Sequence, residues 1–160
     1  MATPTNLPAA FTVGQVLTST QANDLRGAFR ILQLDVKVMD TQESTTSATF
    51  ADITGGTVTI TPQSASNKIL IVSANALLAS GASADAGIRF LRGATNIYTE
   101  VAAIMDTNTG GNFMSMHLDS PNSTSAITYK VQVNRNAGTG TVFSSIGGTA
   151  GAFLVAEISA

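Results

Sequence analysis

The chain has 160 residues and a formal net charge of −2, from eight Lys+Arg against ten Asp+Glu, with one histidine and no cysteine. That is one domain's worth of chain, enough to bury about two thirds of its unfolded surface without staples. The lack of cysteine excludes disulfides, thiolate metal sites and cysteine nucleophiles. Basic residues spread singly from Arg26 to Arg135 leave no stripe for nucleic acid.

Charged residues are only 11% of the chain, well below the usual quarter. The surface is therefore expected to be small, neutral and polar, which suits a subunit packed against copies of itself or a larger assembly. No run approaches the ~18 apolar residues of a membrane span, and the N-terminus lacks the basic and apolar regions of a secretory signal. The protein is expected to be made in a cytoplasm and to stay out of the bilayer.

In chain order, residues 1–16 carry Pro4 and Pro8 and few charges, which predicts an extended arm without a core of its own. LTSTQANDLRGAFRIL, residues 17–32, predicts a helix. Thr18 and Gln21 fit a capping box, and Ala22, Leu25, Phe29 and Leu32 fall on one face. Gly27 weakens it, and Arg26 and Arg30 lie one turn apart on the other face. Residues 1–32 are thus expected to form an arm and helix for assembly, and residues 33–160 a β domain.

From Leu32 the period becomes two. Leu32, Leu34, Val36 and Val38 alternate with Gln33, Asp35, Lys37 and Met39, which predicts a strand with the first set buried. A polar loop, DTQESTTSA, follows. Further strands are predicted at 49–53, 57–61, 68–78, 87–91, 96–105, 113–118, 126–133, 141–146 and 152–158. Turn signals lie at Gly55-Gly56, Pro62, Gly81, Gly110-Gly111, Ser120-Pro121-Asn122, Gly138–Gly140 and Gly147-Gly148. Nine or ten short strands with no βαβ pattern predict an all-β, antiparallel sandwich or barrel. A jelly roll is favoured over an immunoglobulin-type sandwich, whose Cys, Trp, Cys core is missing.

Candidate chemistry is sparse. Ser115, His117 and Asp119 have the composition of a triad, but same-face neighbours on one strand stand roughly 6–7 Å apart. A triad needs hydrogen-bond contact and an oxyanion donor, and no GxSxG elbow is present. DTNTGGN from Asp106 matches half of a calcium loop, with Asp106, Asn108 and Gly111 in place. His117 stands where that loop needs a bidentate Glu, and a Gly-Gly turn between strands accounts for the same residues.

Asn122-Ser123-Thr124 reads as a turn after Pro121. No glycine pattern forms a phosphate cradle. Asp85, Glu100 and Glu157 are scattered, with two tyrosines and no tryptophan to stack on a sugar. Met105, Met114 and Met116 read as core or interface filler. No enzyme activity, cofactor or metal is expected.

Three stretches, TFADITGGTVTITPQSASNKILI (49–71), IRFLRGATNIY (88–98) and LDSPNSTSAITYKVQV (118–133), resemble virion proteins of tailed bacteriophages. The closing VAEI resembles that family's last strand, and FTVGQVLTSTQANDLRGAF resembles an N-terminal segment of phage structural proteins. The resemblance implies a jelly-roll-like homotrimer on the outside of the particle: a head decoration (cement) protein, a head fibre or part of a tail fibre. No long stalk separates arm from β domain, which favours head decoration.

The implied partners are further copies of the chain and the major capsid protein, with no nucleic acid and no membrane. A fibre subunit binding a host surface glycan is the alternative. The arm, with Pro4, Leu7, Pro8, Phe11, Val13 and Val16, is expected on the capsid, and Leu25, Phe29 and Leu32 beneath the trimer.

Overall fold

Period-two alternation drives each strand to bury one side against a second sheet. The computed structural model describes residues 14, 16, 18, 31–80, 84–105, 109–145 and 149–159, and among these it contains ten strands and no helix. They are β1 (Ile31–Met39), β2 (Glu43–Thr45), β3 (Ala51–Ile60), β4 (Lys68–Ser80) and β5 (Ala84–Arg92). β6 (Thr95–Met105), β7 (Thr109–Asp119), β8 (Ile127–Gly138), β9 (Thr141–Ser144) and β10 (Gly151–Ile158) complete the set.

Every pairing is antiparallel. In the first sheet, the thirteen-residue β4 is the spine. β10 pairs with its Lys68–Ala74 half and β9 with Leu77–Ser80; β1 adds to β10 and β2 to β9, while β7 lines the whole opposite edge. The second sheet runs β3-β8-β5-β6.

The two sheets enclose one core. The six-stranded sheet contributes Met39, Ile69, Ile71, Leu77, Phe153 and Val155. The four-stranded sheet contributes Ile53, Val58, Ile88, Phe90, Tyr129 and Val131. The Phe90 and Phe153 rings meet across the gap with centroids 6.0 Å apart, within the range where aromatic pairs attract. The antiparallel two-sheet sandwich expected from the strand pattern is present.

Several local expectations are corrected. Leu32 belongs to β1 rather than to a helix, since the strand starts at Ile31 and pairs there with Ile158. The rest of the expected helix, with Leu25 and Phe29, lies outside the described residues, as do Pro4, Leu7, Pro8, Phe11 and Val13 of the arm. The buried side of β1 is also reversed: Leu34, Val36 and Val38 are exposed, while Met39 is fully buried and Gln33 half-buried. Pairing with β10 sets this orientation, because Leu34 stands opposite Ala156 and Val36 opposite Leu154 on the side away from the core.

The two strands expected at 49–53 and 57–61 are one strand, β3, whose register with β8 jumps between Asp52 and Thr57. Gly55-Gly56 is this irregularity rather than a turn. Gly55 has φ +80°, and a Cβ there would collide with the Val38 carbonyl; one on Gly56 would strike Val131. Glycine is required at Gly55 because the backbone of β3 runs so close to that of β1, and at Gly56 because the Val131 side chain of β8 fills the space. Gly110-Gly111 likewise lies inside β7, paired with Leu78 and Leu77, where a Cβ on Gly110 would stand 2.7 Å from the Leu77 carbonyl oxygen. β2 sits in the expected polar loop, its three residues held by β9.

Candidate functional site

Ser115, His117 and Asp119 occupy alternate positions of β7 as expected, and each is engaged elsewhere. Ser115 Oγ donates to Glu100 Oε1, whose other oxygen accepts from Tyr98 Oη. The His117 ring stacks on Tyr98 with centroids 5.4 Å apart. Asp119 accepts from Arg92 Nη1 at 3.0 Å and from Tyr129 Oη at 2.8 Å. The three never converge, so they form no triad.

These bonds tie β7 to the second sheet. Its partners Tyr98 and Glu100 lie on β6, Arg92 on β5 and Tyr129 on β8. The bond to Glu100, with burial, pushes the Tyr98 phenol up to about 12. Burial and the Asp119 carboxylate together raise the Tyr129 phenol further. Both tyrosines therefore stay protonated donors throughout the working range.

Glu157 is the other buried acid, fully removed from solvent. It accepts from Gln33 Nε2 at 2.5 Å, Asn67 Nδ2 at 2.6 Å and the Gln63 backbone N–H at 2.7 Å. Burial raises its pKa, but the Asn67, Gln33 and backbone donors outweigh that and hold the carboxyl below its ordinary value. It stitches β1, the β3–β4 loop and β10. Glu157 and Glu100 share no partner, and among the described residues no group of three or more His, Asp or Glu could hold a metal ion. Of the calcium half-loop, Asp106 and Asn108 lie outside the described residues, while Gly111 sits in the β7 ladder.

With no reactive cluster among these residues, the outward faces of the two sheets carry the remaining information. The four-stranded sheet faces out with polar and charged groups joined across strands. Lys130 Nζ donates to Asp52 at 2.6 Å, Arg89 Nε to Gln132 Oε1 at 2.5 Å, and the Thr59 and Thr128 hydroxyls meet at 2.9 Å. Donation from Lys130 and Gln132 holds the Asp52 carboxyl below its ordinary value. These groups satisfy one another across the strands.

The outward face of the six-stranded sheet is the opposite. The pairing registers align β1, β10, β4 and β7 into three rows across the sheet. The first row is Leu34, Ala156, Leu70 and Leu118; the second is Val36, Leu154, Val72 and Met116; the third is Val38, Ala152, Ala74 and Met114. All twelve side chains are apolar. The six on the edge strands β1 and β7 are between 45% and 73% exposed.

Sequence reasoning missed this face. Its signal was legible in KILIVSANALL, which is apolar at nearly every position, the pattern of a strand covered on both sides. Met114 and Met116, expected as core or interface filler, lie on this face outside the core. Of the expected arm contacts, Val16 alone is described, and it is 85% exposed. A shallow open depression of about 440 Å³ lies beside Arg92, lined also by Ser123, Ile127 and Thr128.

No family model and no curated protein matches the chain. Among solved structures, the chain is similar to that of the infectious bursal disease virus Gt strain, with TM-score 0.45 and 11% identity over 80% of this chain and 38% of that one. The Gx strain structure gives TM-score 0.43 and 12% identity over 81% and 42%. Particles with T=1 derived from the same virus give TM-score 0.42 and 12% identity over 80% and 38%. The chain thus spans about two fifths of the length of these neighbours.

Proposed function

We propose that this chain is a structural protein of a bacteriophage virion: a homotrimeric, jelly-roll-like head decoration (cement) protein on the outer capsid surface, without enzyme activity. The observation that carries this reading is the uncharged apolar outer face of the six-stranded sheet, in a molecule whose buried acids among the described residues, Asp119 and Glu157, are committed to joining strands. A face of this size is a binding surface. The resemblance of residues 49–71, 88–98 and 118–133 to phage virion proteins supports assembly into a particle.

In this reading the arm, from Pro4 to Val16, lies on neighbouring major capsid subunits, and Leu25 and Phe29 pack beneath the trimer. Contacts made only in the assembled shell stabilise it by linkage. Three arms held by one trimer engage with a high effective concentration, so weak individual contacts give firm retention. A fibre subunit that grips a host glycan is the second reading, favoured by the open depression lined by Arg92, Ser123 and Thr128.

Immunogold labelling of intact virions separates the two: label over the heads is expected, and label confined to tails would sink the decoration reading. The arm is tested by the temperature at which particles release DNA. Particles carrying the full chain should hold DNA to a higher temperature than particles carrying a chain without residues 1–30, and equal temperatures would remove the clamp. The truncation stops at residue 30 because β1 begins at Ile31.

A further inference from the structure

We infer that the three-row apolar face of β1, β10, β4 and β7 is the surface through which copies of this chain meet one another, rather than the surface that grips the capsid. The inference rests on the self-assembling part of the proposed function and assigns it a place on the molecule.

Four observations lead to a second copy as the occupant. The first is area: half-exposed Leu, Val and Met side chains on the two edge strands leave on the order of 600 Å² of contiguous apolar surface. This is close to the ~800 Å² per partner that a stable interface needs. The second is charge. No residue of the twelve can ionise, so juxtaposing the face with itself brings no like charges together, the usual obstacle to self-contact.

The third observation is relief. On β10 and β4 the small Ala152, Ala156 and Ala74 are set among the larger Leu154, Leu70 and Val72, so the face is uneven between the side chains of β1 and β7. Around a threefold axis each such face meets parts of two others, so larger side chains of one copy can pack against the smaller positions of the next. The fourth is continuity. β1 begins at Ile31, on an edge strand of this face. Copies meeting here gather their N-terminal segments around one axis, which leaves the arms grouped for a shared target. The polar outer face of the four-stranded sheet then remains turned to solvent.

The chain has no cysteine, so single-cysteine variants report positions without background. The experiment combines sedimentation equilibrium of the full chain with cross-linking by a short bis-maleimide. Wild type is expected at three times 16.4 kDa, and the double variant Val36→Asp/Met116→Asp at the single-chain mass with an unchanged β circular dichroism spectrum. Leu154→Cys, at the centre of the face, is expected to cross-link between copies, and Thr59→Cys, on the opposite outer face, to stay uncross-linked.

Should the double variant fail to fold, the cysteine pair decides alone. An oligomer that survives Val36→Asp/Met116→Asp, or that cross-links at residue 59 and not at 154, would leave the homotrimer standing and overturn this placement. A wild type at 16.4 kDa that loses particle attachment on Met116→Asp would show that another virion protein covers the face. That result too would overturn the inference, while leaving the virion reading intact.

Discussion

The two outward faces of this sandwich are built to opposite specifications. On β8, Tyr129, Val131 and Val133 point into the core while Thr128, Lys130 and Gln132 point out and bond to neighbouring strands. On β4, Ile69 and Ile71 point into the core while Leu70, Val72 and Ala74 point out, equally apolar. A sheet with one wet side shows clean alternation, whereas one covered on both sides loses it. The difference is that the outer face of the four-stranded sheet is joined by its own cross-strand bonds, whereas that of the six-stranded sheet is apolar and left exposed, the face that the proposed assembly would cover.

The sharpest way to probe this comparison is to truncate neighbouring side chains of β4 that point to opposite sides. Ile71→Ala removes a fully buried side chain and should cost about 2–5 kcal/mol of unfolding free energy. Val72→Ala, one residue on and facing out, should cost less than about 1 kcal/mol in the dissociated chain. Urea unfolding of the dissociated chain checks both; equal losses would mean that the outer face is already covered within the single chain.

Glu157→Gln tests how the edge strand β1 is held against β10 and the β3–β4 loop. It removes a charge-assisted acceptor from three donors and should cost about 2–3 kcal/mol at neutral pH. The folded-state pKa of Glu157 lies below its unfolded value. Its contribution is therefore full above the unfolded value near ~4.3 and is lost as pH falls through the folded value. Unfolding curves of wild type and Glu157→Gln should converge on acidification through that window. A gap that stays constant with pH would contradict the ionised, donor-satisfied state.

Tyr129→Phe deletes the hydroxyl that joins β8 to Asp119 on β7 and should lower stability by about 1–2 kcal/mol. An unchanged melting temperature would show that water or Arg92 replaces the bond without loss. The smallest effect is expected on the finished face. Lys130→Ala breaks an exposed pair with Asp52 and should cost less than about 1 kcal/mol, with the difference fading at high salt. A larger, salt-independent loss would mean that this face also packs against something.

Much of the fold was legible in the sequence because period-two alternation reports strands directly. TVTI, KILIV and AFLVAEI all lie within strands of the sandwich. Which side of a strand is inside was less legible, and β1 shows why. Leu34, Val36 and Val38 form the apolar side, and the hydrophobic effect requires only that such a side be covered, without stating by which molecule. Pairing with β10 turned that side outward, and Met39 alone reached the core from β1 as a fully buried apolar side chain.

Glycine pairs were misread for a related reason. Gly55-Gly56 and Gly110-Gly111 have turn composition, but glycine also serves where two backbones approach too closely for a Cβ. That demand comes from Val38, Val131 and Leu77, residues distant in the chain. The polar joints were legible only as scattered residues. Glu157 with Gln33 and Asn67, or Asp119 with Arg92 and Tyr129, are brought together by the packing of strands far apart in sequence.

The central claim, that the outer face of the six-stranded sheet is covered by copies of the same chain, is tested most directly by thiol labelling at Leu154→Cys and Thr59→Cys over a range of protein concentrations. Labelling at 154 should slow at least tenfold as the concentration is raised through assembly, while labelling at 59 keeps a constant rate. A rate at 154 that is fast and independent of concentration would contradict the account.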